Sequence, residues 1–168
     1  AESAVGEYPV EAVEMMDRIA VRVESDPLYR TIIDSEKPEP ESTSADAITA
    51  AAAQTAETLK ASVIVSFSAT GSTSMRAARE RPTVPILGLT PRLKTARRLA
   101  LAWGVHCVLT LDPERFNEMV DMAVAVALRD GFVKADDRLV IVAGIPFGTA
   151  AATNVMRVAR AVELQKEP

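Results

Sequence analysis

The stretch 62-SVIVSFSATGSTSMRAARERPTVPILGLT-90 decides the fold. Its first six residues, 62-SVIVSF-67, form a short β-branched apolar run, the composition of a strand buried on both faces. Six hydroxyl residues and one glycine follow within 66–82, and 73-TSMRAARER-81 then has helical composition. Pro82 and Pro85 frame a second apolar run, 84-VPILGLT-90. Strand, turn, helix and strand in about thirty residues is a βαβ unit, which implies a parallel sheet.

Working outward, the same rhythm continues in both directions. Upstream, 45-ADAITAAAAQTAETLKA-61 consists almost entirely of good helix formers. Downstream, Pro91 precedes a helix over 92–103, and Gly104 is a plausible helix stop before the strand 105-VHCVLTL-111. Asp112 and Pro113 are a cap and first-turn pair for a helix over 113–131, and 138-RLVIVAG-144 is the last clear strand. The tail 153-TNVMRVARAVEL-164 fits either a final strand or a helix. The expected fold class is α/β: three layers, α/β/α, with a mostly parallel sheet of about five strands and a possible antiparallel edge strand at the C-terminus.

The N-terminal part reads differently. Residues 9–25 carry apolar positions at Val10, Val13, Met16, Ile19 and Ala20, a helical spacing with nothing local to pack against. Residues 26–44 include 35-SEKPEPESTS-44, polar, acidic and proline-bearing, and are expected to form a linker. The expected organisation is therefore a detached helix at 1–25, a linker at 26–44 and a domain at 45–168.

Composition bounds the function. The 168 residues are 48% hydrophobic and 25% charged, with a formal charge of −4, which fits a soluble globular chain and argues against nucleic acid as a partner. Charge is uneven: residues 1–46 hold 12 acids against 4 bases, whereas 68–110 holds seven bases and only Glu80 as an acid. A local basic zone of this kind suits a small anion or an acidic protein face, although solvated helix faces would look the same. The single Cys107 lies in an apolar run and is expected to be buried and inert. No apolar run approaches membrane-spanning length, and the first residues lack the features of a signal peptide, so the expected location is the cytoplasm, with no membrane partner. The first residue is alanine rather than methionine, which suggests a fragment or a processed chain.

In open α/β sheets, ligands sit beyond the carboxyl ends of the strands. The turn after the first strand offers Ser68, Thr70, Gly71, Ser72 and Thr73, hydroxyl donors around a glycine at a helix start. Ser72 or Thr73 could cap that helix, or the turn could hold a phosphate; residue types alone leave both readings open. It has neither the P-loop nor the dinucleotide-binding pattern. A second loop, 144-GIPFGTAAATN-154, offers Gly144, Gly148, Thr149 and Thr153 with equal ambiguity. No catalytic set and no metal-spaced cluster is evident. His106 reads as a core or edge residue of its strand, with its side chain on the face opposite Cys107.

Two segments add a family resemblance. The opening 1-AESAVGEYPVEAVEMMDRIA-20 resembles the segment of pyruvate kinases that leaves the eighth strand of their catalytic barrel, and 66-SFSATGSTSMRAARERPTVPILGLT-90 resembles the turn, helix end and strand of their C-terminal domain. The order and spacing of 102-AWGVHCVLTL-111 and 144-GIPFGTAAATNVMR-157 are similar as well. The resemblance implies the last barrel helix plus the C-terminal effector and assembly domain of a glycolytic phosphotransferase. It implies that the active site, with its Mg²⁺ and K⁺, lies in a barrel outside this sequence, that these residues bind neither metal, and that no catalytic residue transfers here.

By the same resemblance, Ser68, Thr70, Gly71, Ser72 and Thr73 hold the phosphate of an allosteric effector, Gly144, Gly148 and Thr149 belong to a second effector loop, and the parent is a homotetramer joined through its C-terminal domains. The sequence departs from fructose-bisphosphate-activated members in carrying Ala150, Ala151 and Ala152 in that loop. AMP or a sugar monophosphate is therefore favoured over fructose 1,6-bisphosphate. A free-standing phosphate-ligand-binding protein or enzyme of the same fold, or a purely structural dimerisation module, are the alternatives.

Overall fold

The computed structural model describes residues 2–36, 39–147 and 153–162. The chain divides into two units, Ala1–Glu39 and Pro40–Pro168. The first holds α1 (Glu2–Val5), α2 (Pro9–Glu24) and α3 (Pro27–Ser35). Pro9 opens α2, where its missing N–H costs nothing, and the Glu2 carboxylate accepts from the Tyr8 amide (2.8 Å). Val10, Val13, Met16 and Ile19 are all exposed, and α2 buries none of its residues.

The expected linker at 26–44 needs correction, because α3 lies inside it. Asp26 caps this helix by accepting the Leu28 amide on Oδ1 (2.9 Å), and Pro27 takes the first helical position. The acidic, proline-bearing stretch that follows masked a local start signal.

The second unit is a five-stranded sheet ordered β3-β2-β1-β4-β5. Its strands are β1 (Val63–Phe67), β2 (Ile86–Thr90), β3 (Val105–Leu109), β4 (Arg138–Ala143) and β5 (Val155–Arg160). The first four run parallel and β5 pairs antiparallel to β4, from Arg138↔Arg160 to Ala143↔Val155. The ambiguous tail is thus a strand. Mutual hydrogen bonds beyond its end, Asp136 N–H to Ala161 O and Ala161 N–H to Asp137 O (both 2.8 Å), fasten it to the turn before β4.

The helices are α4 (Ser44–Leu59), α5 (Ser72–Arg79), α6 (Leu93–Leu99) and α7 (Phe116–Arg129). Alternation along β1 sorts them into layers. Ile64 faces Ala52, Ala56, Ala77 and Ala78 of α4 and α5, whereas Val63, Val65 and Phe67 join Met119, Ala123 and Ala127 of α7 on the other side. Alanine-rich helix faces let α4 and α5 lie close to the sheet. Gly88 of β2 serves the same end, since a Cβ there would stand 3.3 Å from Ser74 Oγ and 3.6 Å from Leu99 Cδ1.

Two helix ends differ from the sequence reading. Asp112 and Pro113 do not start α7; Arg115 occupies its N-cap, and the Glu118 carboxylate reaches back to the Glu114 amide (2.9 Å). α6 ends at Leu99 rather than running to Gly104. The far end of α7 closes on Gly131 at φ +77°, with Phe132 N–H donating to Ala127 O and Gly131 N–H to Leu128 O, a Schellman closure. Among the described residues, no helix is long and apolar enough to cross a membrane.

Candidate functional site

The turn between β1 and α5 sits at the carboxyl end of the central strand. Ser68 extends the β ladder, its amide donating to Leu89 O (3.1 Å), while its Oγ accepts the Gly71 amide (2.9 Å). The chain then reverses through Gly71 at φ +82°, a left-handed conformation that favours glycine. Crowding at Gly71 reinforces the requirement. A Cβ would lie 3.1 Å from Thr95 Cγ2, 3.2 Å from Arg98 Nη2 and 3.3 Å from Leu99 Cδ2.

Gly71 is itself the N-cap of α5, so neither Ser72 nor Thr73 has the capping role that the sequence allows. No side chain caps this helix; Thr70 Oγ1 approaches the Ser72 amide only at 3.5 Å while donating to Ser72 Oγ (3.1 Å). First-turn amides without an intrahelical or side-chain partner, together with the helix dipole, suit an anion at this end.

The five residues assigned from sequence are contiguous in space, but their hydroxyls divide into two groups. Thr70 and Ser72 are on the solvent side of the turn, whereas Thr73 is buried with its hydroxyl hydrogen-bonded to that of Thr153 (2.7 Å). Ser74 points inward as well, to the Ser66 hydroxyl (2.8 Å). Thr73 thus serves the architecture: it pins the end of the loop between β4 and β5 to the first turn of α5.

That second loop is tied at both ends. Asn154 accepts the Ile145 amide on Oδ1 (2.8 Å) and donates from Nδ2 to Ile145 O (2.7 Å), and Ile145–Pro146 is cis. Gly144 is half-buried at the start of the loop. Gly148 and Thr149, with Ala150, Ala151 and Ala152, lie outside the described residues.

Sequence reasoning missed the contribution of α6. Thr95 donates to Ala69 O (2.9 Å), and one turn later Arg98 donates from Nη2 to Thr70 O. The only sequence signal was their three-residue spacing, which puts both on one helix face.

The basic zone is less uniform than its composition suggests. Arg76 Nε (2.8 Å) and Arg79 Nη2 (2.6 Å) both bind the carboxylate of Asp46, which is buried in the first turn of α4. The Arg79 hydrogen bond, the Glu41 amide (2.8 Å) and Arg76 hold the Asp46 carboxyl below the usual carboxylate range, against the opposing effect of burial. Arg81 lies over the Trp103 ring at 4.5 Å. Four of the seven bases, Arg76, Arg79, Arg81 and Arg98, are therefore engaged within the fold.

His106 is exposed on edge strand β3 with its ring 5.2 Å from that of Phe132. Cys107 is half-buried rather than fully so, and burial pushes its thiol pKa up. Among the described residues, no group of three His, Cys, Asp or Glu side chains could hold a metal ion.

Fold and site together define an α/β domain with an anion-compatible turn at the end of its central strand. The family model for the pyruvate kinase alpha/beta domain matches residues 46–159. The chain is 47% identical to a pyruvate kinase of Methylorubrum extorquens over 95% of its own length and 33% of that protein's. Identity is 44% to one of Agrobacterium vitis (96% and 34%) and 41% to that of Geobacillus stearothermophilus (94% and 27%). The chain belongs to the pyruvate kinase family, and it spans about a third of the length of the curated relatives it matches.

Proposed function

We propose that this chain is the effector-binding and assembly part of a pyruvate kinase, the glycolytic phosphotransferase that makes pyruvate and ATP from phosphoenolpyruvate and ADP. One observation carries the reading of the site: α5 begins at a left-handed Gly71 with no side-chain cap, beside the hydroxyls of Ser68, Thr70 and Ser72. Such a turn offers a phosphate both amide and hydroxyl donors. Thr73 takes part indirectly, because its bond to Thr153 ties the end of the loop between β4 and β5 to the turn; Gly144, Gly148 and Thr149 are proposed as the second effector loop.

Phosphoryl transfer, with the Mg²⁺ and K⁺ it uses, belongs in this reading to a catalytic barrel outside these 168 residues. The apolar stripe of α2 is then the inner face of that barrel's last helix. The edge strand β5 presents Met156 and Val158 to solvent, which suits pairing with a second copy in a homotetramer. The enzyme would act in the cytoplasm.

The ligand proposed is a monophosphate: AMP, ribose 5-phosphate or glucose 6-phosphate. Calorimetry on the 168-residue chain tests this. One of the three should bind at a single site, and Thr70→Val together with Thr73→Val should abolish the binding. Fructose 1,6-bisphosphate binding at least about tenfold tighter than every monophosphate would overturn the choice of ligand. Failure of all four to bind would overturn the effector reading.

A further inference from the structure

The proposed ligand poses a charge problem that the five turn residues do not solve. A phosphate monoester carries about −1.5 to −2 charges at neutral pH. Ser68, Thr70, Gly71, Ser72 and Thr73 offer only neutral donors and the partial charge of a helix end. A dianion held by neutral groups alone gives up much of its hydration for weak compensation. A cation facing the turn would supply that compensation, and the nearby ones are not equivalent.

Arg76 and Arg79 are held by buried Asp46, and Arg81 lies over Trp103. Arg98 is placed differently. It comes from α6, its Nη2 donates to the carbonyl of Thr70, and it lies 3.2 Å from where a Cβ on Gly71 would stand. Thr95, one turn earlier, holds the preceding carbonyl of Ala69 (2.9 Å). This pair of contacts fixes α6 against two successive turn carbonyls and sets the Arg98 side chain at the exposed rim of the turn. A guanidinium has five N–H donors in a planar fork, and the Thr70 carbonyl needs one of them. The rest can take phosphate oxygens in charge-assisted bonds, a geometry that a lysine ammonium does not reproduce.

We infer that Arg98 is the charge-reading residue of the turn: it selects a dianionic phosphate monoester over a singly charged phosphodiester of the same nucleoside. The inference rests on the effector reading above and assigns that site a residue on a different helix. The carbonyl contact gives it a second consequence, since the group that reads the charge also holds the turn in its left-handed conformation.

The test is calorimetric titration of wild type, R98Q, R98K and R97Q with AMP and with 3′,5′-cyclic AMP, at two salt concentrations, beside thermal melts. Wild type should prefer AMP and lose affinity as salt rises. R98Q should weaken AMP binding by about 10- to 100-fold, flatten its salt dependence and abolish the preference for AMP. R98K should weaken AMP binding by less and keep the salt dependence, and R97Q should bind as wild type.

A brace without a charge role predicts that R98Q weakens both ligands equally with the wild-type salt dependence, which would overturn the inference. So would R98Q binding AMP within about twofold of wild type. Should R98Q not melt cooperatively, R98K decides, and unchanged AMP affinity in that variant overturns the role of the fork. If wild type binds neither ligand nor any sugar phosphate, the effector reading falls and the role of Arg98 with it.

Discussion

Replacing Gly71 with alanine adds one carbon at the most constrained point of the turn. Two costs arise. The backbone sits at φ +82°, where an L-residue pays about 1–2 kcal/mol, offset by about 0.4–1 kcal/mol because alanine is less free than glycine in the unfolded chain. The new Cβ also meets Thr95 Cγ2, Arg98 Nη2 and Leu99 Cδ2 at 3.1–3.3 Å, which is overpacking of the kind that costs about 1–3 kcal/mol. The net expectation is a loss of about 2–3 kcal/mol, or about 5–10 °C in Tm for a chain of this size. Gly131→Ala is the internal control. It has the same strain, at φ +77°, but nothing within 4 Å of the added carbon, so its loss should stay near 1 kcal/mol. Thermal unfolding followed by circular dichroism measures both. Equal shifts in the two variants would refute the claim that α6 presses on the turn, leaving backbone conformation as the whole effect.

The Asp46 clamp should show in acid. Its folded carboxyl pKa lies below the unfolded value of 3.8, so its contribution to stability is present above that value and is lost as pH falls through the folded pKa. Urea melts from pH 6 down to pH 3 should show this acid-side loss in wild type. Asp46→Asn should be less stable at pH 6 and show a shallower decline; an unchanged slope would contradict the clamp. At Cys107, burial raises the thiol pKa, so DTNB labelling at pH 8 should be at least about tenfold slower in the native chain than in urea, and equal rates would count against that environment.

The parallel sheet was legible because its evidence is local. The apolar runs at 62–67, 84–90, 105–111 and 138–144 each contain a strand, and the helical runs between them force crossovers. β5 was not legible in isolation, because 155-VMRVARAV-162 satisfies either period and only pairing with β4 decides between them. α3 was lost for a different reason. Its Asp26–Pro27 start signal was present, but the acidic proline segment beyond it dominated the reading of the whole interval.

The turn divides in the same way. Sequence alone determined a glycine and hydroxyls at the end of a buried strand, since strand period, turn chemistry and helix start all lie within twelve residues of Val63. Tertiary structure decided what each group does. Thr73 faces Thr153 across 80 residues, and Arg98 reaches Thr70 across 28. Arg76 and Arg79 belong to the basic zone of the sequence, but both bind Asp46, 30 and 33 residues upstream. Backbone preference is set by near neighbours along the chain. The partner of a hydroxyl or a charge is set by which helix the sheet brings beside it, and no local spacing encodes that.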